Sequence, residues 1–495
     1  MSMITLLGLG PGNPEQLTRA AWDVLASADE IWLRTLQHPA VAAFPPGIRV
    51  YSFDALYASG ESFEAVYAAI VQKVLELGRR PQGVIYAVPG HPFVAEATGP
   101  EIARLARDEG LALRVVEGLS FLEPTCSALG IDPFPGLFLA DALTLSSAHV
   151  PPFPPDAPAL IAQIYSRLVA AEVKMTLTAV YPDEHPVRLV HAAGTADEFV
   201  EDLPLYQIDR SERIGLLTSL YLPPLGAGTA FEAFQEVVAR LRAPDGCPWD
   251  RAQTHVSLRN HLLEETYEAL TALDAEDPAK MTEEFGDLLL QIVLHAQIAV
   301  EEGEFSMADV IRGIYEKIIR RHPHVFGNIQ VDGVERVLLN WERLKEKERK
   351  HNGESEKGLL DGVPLTLPAL LQAQEYQERA ARVGFDWPEI DGVLDKIREE
   401  IEEIRAAENP EHLAAELGDL FFALVNLARW KKVDAESALR GTNLRFKQRF
   451  GFIESGARSQ GRALTDLSLE EMEALWQEGK QEQKSGREQT QGGAQ

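Results

Sequence analysis

The sequence predicts a multidomain protein in which an α/β domain of two lobes precedes an all-α region built from two repeats. Residues 1–222 alternate short apolar runs with amphipathic helical stretches, and the composition changes at "LPPLGAGTA" (222–230). From there on the pattern is almost wholly helical. The chain of 495 residues has room for about three domains of roughly 150 residues each.

The N-terminal part contains strand-like segments that end at glycines and are followed by helices. "MITLLGLG" (3–10) and "GVIYAVPG" (83–90) have the apolar content of buried strands, whereas "PEQLTRAAWDVLASAD" (14–29) has the apolar spacing of a helix. The proline-rich "HVPPFPPDAP" (149–158) is typical of a linker and would separate the two lobes. This alternation predicts an α/β domain over residues 1–222.

The helical region contains two copies of one pattern, at residues 229–350 and 359–480, separated by the polar stretch "KERKHNGESEKG" (347–358). Each copy has a Trp-containing turn, an acidic helix, an apolar helix, a basic pair, and a Trp and a Lys four residues apart. The basic and closing pairs are Lys317 with Arg321, Trp341 with Lys345, Arg445 with Arg449, and Trp476 with Lys480. Matched features in one order indicate duplication. Residues 481–495 have little apolar content and are predicted to be disordered.

Each copy also carries five carboxylates at helical spacings that place them on one surface. They are Glu264, Glu265, Glu268, Glu284 and Asp287 in the first copy, and Glu399, Glu400, Glu403, Glu416 and Asp419 in the second. If the two helices of a copy pack antiparallel, these acids converge at one seam. We expect no compensating lysine on that face, so the seam predicts a divalent cation, and oxygen ligands favour Mg²⁺, Mn²⁺ or Ca²⁺.

Other metal and phosphate sites have less support in the sequence. No His/Cys set indicates zinc, and His295, the histidine nearest the first seam, is expected at a core edge. The chain lacks a G-K-[ST] phosphate loop, so phosphates would be held through the metal. The basic pairs would then meet the outer phosphates, and the tryptophans would pack on a base or close the pocket.

The helical segments resemble the MazG family, nucleoside triphosphate pyrophosphohydrolases of all-α type. The resemblance covers about residues 229–480 and rests on "GCPWDRAQTH", "LLEETYEAL", "EEFGDLLLQ", "RRHPHVF", "GFDWP", "EEIEE" and "ELGDLFFALVNLAR". It implies a homodimeric hydrolase acting on acid anhydrides, which cleaves NTPs or dNTPs with Mg²⁺ to monophosphate and pyrophosphate. The ten carboxylates are the implied metal ligands. In two-repeat relatives the second repeat is regarded as active, so Glu400, Glu403, Glu416 and Asp419 are expected to dominate catalysis.

Gly8, Gly10 and Gly12 lie between a strand and a helix, but their spacing is not G-x-G-x-x-G. Together with "IYAVPGHP", which contains Gly90, and "VVEGLSFLEPTCSALGID", they resemble the tetrapyrrole (corrin/porphyrin) methylases. That resemblance implies that S-adenosylmethionine binds between two lobes, at these glycines. The chain departs from the family's Gly-Asp-Pro at His91. A fold retained for ligand sensing or assembly is therefore the alternative to an active methyltransferase.

The charge of the chain argues against several classes of partner. There are 76 acidic and 47 basic residues, a net charge of −29, which disfavours nucleic acid and anionic lipid. No uncharged apolar run reaches the length of about 18 residues that a membrane span needs. The N-terminus also lacks the basic flank that is typical of a signal peptide. We therefore expect a cytoplasmic enzyme. The competing hypotheses are an S-adenosylmethionine-dependent tetrapyrrole methyltransferase with a helical accessory domain, and a nucleotide-sensing or partner-binding module.

Overall fold

The computed structural model describes residues 2–59, 62–327 and 358–492, together with the single positions 329, 333, 336, 337 and 344. The chain divides into two compact units, Met1–Cys247 and Pro248–Gln495. This division lies later than the change of composition at residues 222–229. The composition reports where strands give way to helices, whereas the first helix after the change, Phe231–Arg242, belongs to the N-terminal unit.

The N-terminal unit contains two five-stranded sheets. In chain order the strands are β1 (Met3–Gly8), β2 (Glu30–Leu33), β3 (Arg49–Ser52), β4 (Val84–Val88), β5 (Ala112–Val116), β6 (Phe138–Asp141), β7 (Ala159–Ala162), β8 (Pro186–His191), β9 (Phe199–Pro204) and β10 (Thr218–Leu222). The first sheet has the order β3-β2-β4-β1-β5, and all its neighbours are parallel. The second has the order β6-β7-β10-β8-β9, in which β6 and β7 are parallel and the other neighbours antiparallel.

Helices cover the first sheet on both faces. The helices of this unit are α1 (Arg19–Ser27), α2 (Asp54–Ser59), α3 (Phe63–Gly78), α4 (Thr98–Asp108), α5 (Leu122–Leu129), α6 (Ala142–Ser146), α7 (Arg167–Leu177) and α8 (Phe231–Arg242). Successive side chains of a strand point to opposite faces. Accordingly, Ile4 and Leu6 of β1 pack in one core with residues of α3, while Leu7 packs in another with Leu25 of α1. A parallel sheet buried on both faces explains the nearly continuous apolar run of β1.

The proline-rich segment 149–158 is not a linker between the lobes. It leads from α6 to β7, both of which belong to the second lobe, and Phe153 within it is part of that lobe's buried core. Prolines mark irregular backbone, and here the irregular backbone lies inside a lobe. The α/β class of the N-terminal part is confirmed.

The second unit is helical, with no strand among its described residues. Its helices are α9 (Pro248–Arg251), α10 (Arg259–Asp274), α11 (Pro278–Glu302), α12 (Met307–Arg321), α13 (Pro323–Phe326), α14 (Ala369–Arg382), α15 (Ile390–Ala406), α16 (Pro410–Trp430), α17 (Ala435–Ser459) and α18 (Leu469–Gly492). Short 3₁₀ helices in the two units span Pro14–Gln16, Pro39–Ala43, Leu205–Arg210 and Leu464–Asp466.

Two helical hairpins form the repeated part of this unit. The first pairs α10 with α11 and the second pairs α15 with α16. Asp277 and Asn409 cap the second helix of each hairpin through side-chain oxygens, and a proline follows each cap at the first helical position. Arg440 of the second copy forms an ion pair of 2.8 Å with Asp274 of the first. The cap followed by proline, which both hairpins have before their second helix, supports the predicted duplication.

The last helix continues further than expected, because α18 reaches Gly492 where a disordered tail was predicted from residue 481. Its Gln, Glu, Lys and Arg residues have helix propensities close to that of Ala, which the apolar content of the segment does not reflect. None of the described helices holds an 18-residue stretch apolar enough to cross a membrane. The cytoplasmic location stays a prediction.

Candidate metal centre in the helical hairpins

In the second hairpin, acids gather where α15 and α16 pack. Carboxylate oxygens of Glu400, Glu416 and Asp419 lie within 4.8 Å of one another. Glu400 is only 2% exposed, whereas Glu416 is half-buried and Asp419 is exposed. Burying a carboxylate is costly unless a positive charge and hydrogen bonds compensate for the lost hydration. The structure thus brings together three of the predicted ligands.

Glu400 is compensated on one side only. Its Oε1 lies 2.8 Å from Nζ of Lys396, while its buried Oε2 has no hydrogen-bond partner among the residues that the structure describes. Lys396 also pairs with Glu399 at 3.0 Å, so Glu399 is engaged outside the group. The expectation that no lysine shares this face was wrong. Lys396 lies one turn before Glu400 on the same helix, and its pKa is raised by these two pairings, that with Glu400 first.

Glu403 lies beside the group and responds to its charge. Partial desolvation, followed by the negative charges of Glu416 and Glu400, raises the pKa of Glu403 above the usual value for a glutamate. Nε2 of His412, one turn before Glu416, lies 2.9 Å from the Glu416 carboxylate. The group therefore consists of closely spaced acids, with Lys396 as the cation beside Glu400 and His412 in contact with Glu416.

The first hairpin has a related but different group, in which carboxylate oxygens of Glu265, Glu268 and Glu284 lie within 4.8 Å of one another. Desolvation, followed by the charges of Asp287 and Glu268, raises the pKa of Glu265. Desolvation, followed by the charge of Glu268, raises that of Glu284. Glu264 lies 3.9 Å from His261 on its own helix. Thus Glu268 belongs to the first group, whereas Glu403, at the equivalent position, lies outside the second group. Asp419 is the third member there.

The predicted substrate-binding residues of the second copy lie on α17 and α18. The Arg449 guanidinium stands 5.5 Å from the centre of the Trp476 ring, which also packs on Phe446 at 5.3 Å. Arg445 donates a hydrogen bond of 2.7 Å to Thr442. Trp476 is therefore part of the core between α17 and α18 and holds Arg449 beside it.

The remaining predicted substrate-binding residues are Lys480 and the two pairs of the first copy. Lys480 is exposed on α18, and Lys317 and Arg321 lie half-buried in the last two turns of α12. Trp341 and Lys345 lie outside the described residues. The basic pair of the first copy is thus placed on α12.

In the N-terminal unit, the predicted glycines lie at the carboxyl ends of β1 and β4. Gly10 and Gly90 exchange two backbone hydrogen bonds, of 3.2 and 2.8 Å, and both have left-handed φ angles near +70°. A Cβ on Gly8 would lie 2.5 Å from the Gly118 nitrogen and 2.7 Å from the Gly90 oxygen. Gly12, with φ +140°, completes the set. Gly118 was not among the predicted site residues. Its position directly after the strand-like "LRVVE" is the feature of the sequence that indicates it.

A buried charge pair at the same edge of the sheet was also missed. Arg34, which follows β2, pairs with the buried Glu96 and donates a hydrogen bond of 2.9 Å to Tyr57. Glu96 also accepts the backbone N–H of Thr98 at 2.9 Å. Ligands of open α/β sheets bind at this carboxyl edge. No sequence spacing links positions 34 and 96, since the fold alone brings them together.

We expect Gly8→Ala to lower the free energy of unfolding of the N-terminal unit by about 2 kcal/mol or more, because backbone atoms occupy the space of the added Cβ. Urea unfolding measures the effect. Gly215→Ala is the matched control, since its Cβ would meet only Arg213 O, at 4.0 Å. Equal stability of the two variants would contradict the close approach of β1 to Gly118.

Comparison with known proteins identifies the family of each unit. Residues 253–326 match the MazG nucleotide pyrophosphohydrolase domain, and residues 3–209 match the tetrapyrrole (corrin/porphyrin) methylases. The chain is 42% identical over 493 residues to the uncharacterized protein YabN of Bacillus subtilis, covering 97% of this chain and 98% of that protein. It is 44% identical over 254 residues to the nucleoside triphosphate pyrophosphohydrolase/pyrophosphatase MazG of Thermotoga maritima, covering 51% of this chain and 97% of that one. The chain therefore belongs to the MazG nucleotide pyrophosphohydrolase family, with its MazG region joined to an N-terminal tetrapyrrole-methylase domain.

Proposed function

We propose that the helical unit hydrolyses nucleoside triphosphates, NTPs or dNTPs, to monophosphate and pyrophosphate with Mg²⁺ held by the hairpin acids. The observation that carries this proposal is the buried Glu400, which lies beside Glu416 and Asp419 and whose Oε2 has no hydrogen-bond partner within the described part of the chain. The activity named for the Thermotoga maritima relative supports the substrate class. Removal of unwanted nucleotides from the cellular pool is the role that such an activity would serve.

The ligand set fits a hard divalent cation. All the converging atoms are carboxylate oxygens, which Mg²⁺ and Mn²⁺ prefer over nitrogen or sulfur. A cation would supply the buried Oε2 of Glu400 with the partner that the described residues do not provide. Glu400, Glu416 and Asp419 would hold the metal in the second hairpin, and Glu265, Glu268 and Glu284 would hold one in the first.

The protein's own groups would then divide the work of hydrolysis. When bound, Mg²⁺ supplies positive charge to phosphate oxygens and lowers the pKa of water. Glu403, the acid beside this group, would accept the proton of the attacking water. Water adds to the α-phosphorus, the bond to the bridging oxygen breaks, and pyrophosphate leaves. Arg445 and Arg449 would bind the departing phosphates through their planar guanidinium groups.

Product analysis tests this proposal. The full chain is incubated with each NTP and dNTP in Mg²⁺, and the products are separated by ion exchange. We expect monophosphate and pyrophosphate in equal amounts, because attack at the α-phosphorus yields only these. Diphosphate with orthophosphate would contradict the proposed position of attack, and no turnover of any nucleotide would favour the nucleotide-sensing alternative.

For the N-terminal unit we propose binding of S-adenosylmethionine at Gly8, Gly10, Gly12 and Gly90. Because Gly8 and Gly90 have no side chains, only their backbone groups lie at the carboxyl edge of the parallel sheet. Open α/β sheets bind their ligands at this edge. Calorimetric titration of the full chain with S-adenosylmethionine tests the proposal. Absence of binding at millimolar ligand would leave a retained fold with a role in assembly.

We also propose that the helical unit forms a homodimer. Ile311, Ile314, Tyr315 and Ile318 are exposed at spacings that define one face of α12, and Leu413, Leu417, Phe421 and Leu424 do the same on α16. Exposed apolar stripes of this length are typical of interfaces. A second copy of the chain is the proposed partner, because helical bundles bury such stripes against one another.

Light scattering at micromolar concentration is expected to give twice the chain mass of 54.7 kDa. Phe421→Glu should convert the dimer to monomer, because a charge on the stripe would be buried without a partner. Leu168→Glu, at an exposed apolar residue of the N-terminal unit, is the control and should leave the mass unchanged. A monomeric wild-type protein would refute the homodimer.

A further inference from the structure

The first hairpin carries a second polar cluster at the far end of α11, roughly 27 Å along that helix from Glu284. It consists of His255, which precedes α10, of His295 and Glu302 on α11, and of Glu304 just beyond it. We propose that His255, Glu302 and Glu304 bind a divalent transition-metal ion of the zinc type, with His295 as the residue that orients His255. The site is independent of the proposed hydrolysis.

The ligand atoms are already close together. A ring nitrogen of His255 and one carboxylate oxygen each of Glu302 and Glu304 lie within 4.8 Å of one another. Nε2 of His255 stands 3.9 Å from Oε2 of Glu302, too far for a hydrogen bond. That nitrogen is shielded from solvent and has no hydrogen-bond partner among the described residues. A shielded nitrogen that faces two carboxylates without bonding either one is the arrangement that a bound cation would complete.

The metal bonds would require little movement. Ligand atoms about 2.0 Å from a tetrahedral metal lie roughly 3.3 Å from one another. The observed separation of 3.9 Å exceeds this by about 0.6 Å, and the limit of 4.8 Å exceeds it by about 1.5 Å. Glu302 and Glu304 are exposed, so rotation of their side chains can close the gap. Water would take the fourth position.

His295 fixes which nitrogen of His255 faces the acids. The two rings are parallel within 1°, and their Nδ1 atoms are 2.7 Å apart, a distance that requires one proton between them. When His255 donates that proton to His295, its Nε2 carries the lone pair that a metal needs. A hydrogen bond from the far nitrogen of a ligating histidine is the usual device that sets its tautomer and orientation.

Local backbone structure holds the other two ligands in place. Gly303 ends α11 with a left-handed φ of +74°, and the Glu304 N–H donates to Ala299 O at 2.9 Å. This turn directs Glu302 and Glu304 to the same end of the helix. On the other side, reciprocal hydrogen bonds between Thr254 and Ser257 fix the turn that carries His255.

The mixed ligand set selects the metal. Imidazole with carboxylates suits Zn²⁺, Co²⁺ or Ni²⁺, whereas Mg²⁺ prefers oxygen ligands alone. A metal here would tie the turn before α10 to the end of α11. It would therefore clamp the hairpin that carries Glu265, Glu268 and Glu284, and it would stabilise the fold without touching a nucleotide.

Zinc titration of the full chain tests the site. Chelator-treated protein is placed in excess Mg²⁺, which occupies the all-oxygen groups, and is titrated with Zn²⁺ by calorimetry and with Co²⁺ by visible absorption. We expect one Zn²⁺ per chain above any weak background, a Co²⁺ spectrum of low-coordinate nitrogen–oxygen ligation, and a rise in melting temperature with Zn²⁺.

His255→Gln and Glu304→Gln should each weaken Zn²⁺ binding by at least about tenfold and abolish the rise in melting temperature, and His295→Phe should weaken binding by about tenfold. Glu301→Gln, at the neighbouring position on α11, is the matched control and should bind as wild type. Glu304 is exposed, so its variant tests the site even if His255→Gln folds poorly. Zn²⁺ binding that Glu304→Gln leaves unchanged, or no binding by the wild-type chain in Mg²⁺, would overturn the proposal.

Discussion

Replacement of Glu403 by Gln together with Asp419 by Asn is expected to lower nucleoside triphosphate turnover at least about a hundredfold, or roughly 2.7 kcal/mol of transition-state stabilisation. Both changes keep the size of the side chain and remove its charge. Asp419 belongs to the close carboxylate group, and the pKa of Glu403 responds to that group. Steady-state kinetics in saturating Mg²⁺ measures the loss, and thermal melting shows that the variant folds.

The matched control is the pair Glu268→Gln and Asp287→Asn in the first hairpin, which should cost much less turnover. Burial of Glu400 at 2% exposure, against the half-buried Glu265, favours the second hairpin as the catalytic one. The match to the MazG domain, over residues 253–326, lies in the first copy and is the observation that favours the first hairpin instead. Loss of turnover in the first-copy variant alone would reverse the assignment.

Removal of divalent cations is expected to lower turnover at least about a thousandfold, since a metal contributes several kcal/mol of charge stabilisation in such reactions. Treatment with a chelator followed by back-titration measures this. Mg²⁺ or Mn²⁺ alone should restore activity and should raise the melting temperature, because it relieves the repulsion among Glu400, Glu416 and Asp419. Full turnover in the presence of chelator would contradict the metal-dependent mechanism.

The same titration repeated at lower pH should show weaker Mg²⁺ binding. The pKa of Glu403 is raised by desolvation and by Glu416 and Glu400, so this side chain retains its proton to a higher pH than an ordinary glutamate. Protonation of Glu403 removes a negative charge from beside Glu400, Glu416 and Asp419, so the attraction of this group for the cation weakens as the pH falls through that raised pKa. Glu400→Gln distinguishes loss of a metal ligand from protonation of Glu403. This variant should lose most of the Mg²⁺-dependent rise in melting temperature at every pH.

The carboxylate groups could be predicted because their geometry is local. Spacings of three and four residues place Glu400 near Glu403 and Glu416 near Asp419 on any helix, and a short turn brings the two helices together. Lys396 was not predicted as a partner of Glu400, although its spacing is also local. Its long side chain reaches Glu400 from one turn away.

The features that the sequence did not predict depend on distant packing. His255 and His295 are 40 residues apart and meet only because α10 and α11 close into a hairpin. Gly8 and Gly118 meet because β1 and β5 are neighbours in a sheet whose order differs from the chain order. The boundary at Cys247 likewise reflects that α8 belongs to the N-terminal unit, which its helical composition does not express.

The two hairpins with their shared proline turns lie in one polypeptide, and this has a consequence for how the protein can evolve. In an assembly of identical single-repeat chains, a substitution alters every hairpin at once. Here Asp277 and Asn409, or His261 and Lys396, already differ at equivalent positions of the two copies. One copy can therefore retain its chemistry under selection while the other accumulates changes that adapt it to a new ligand.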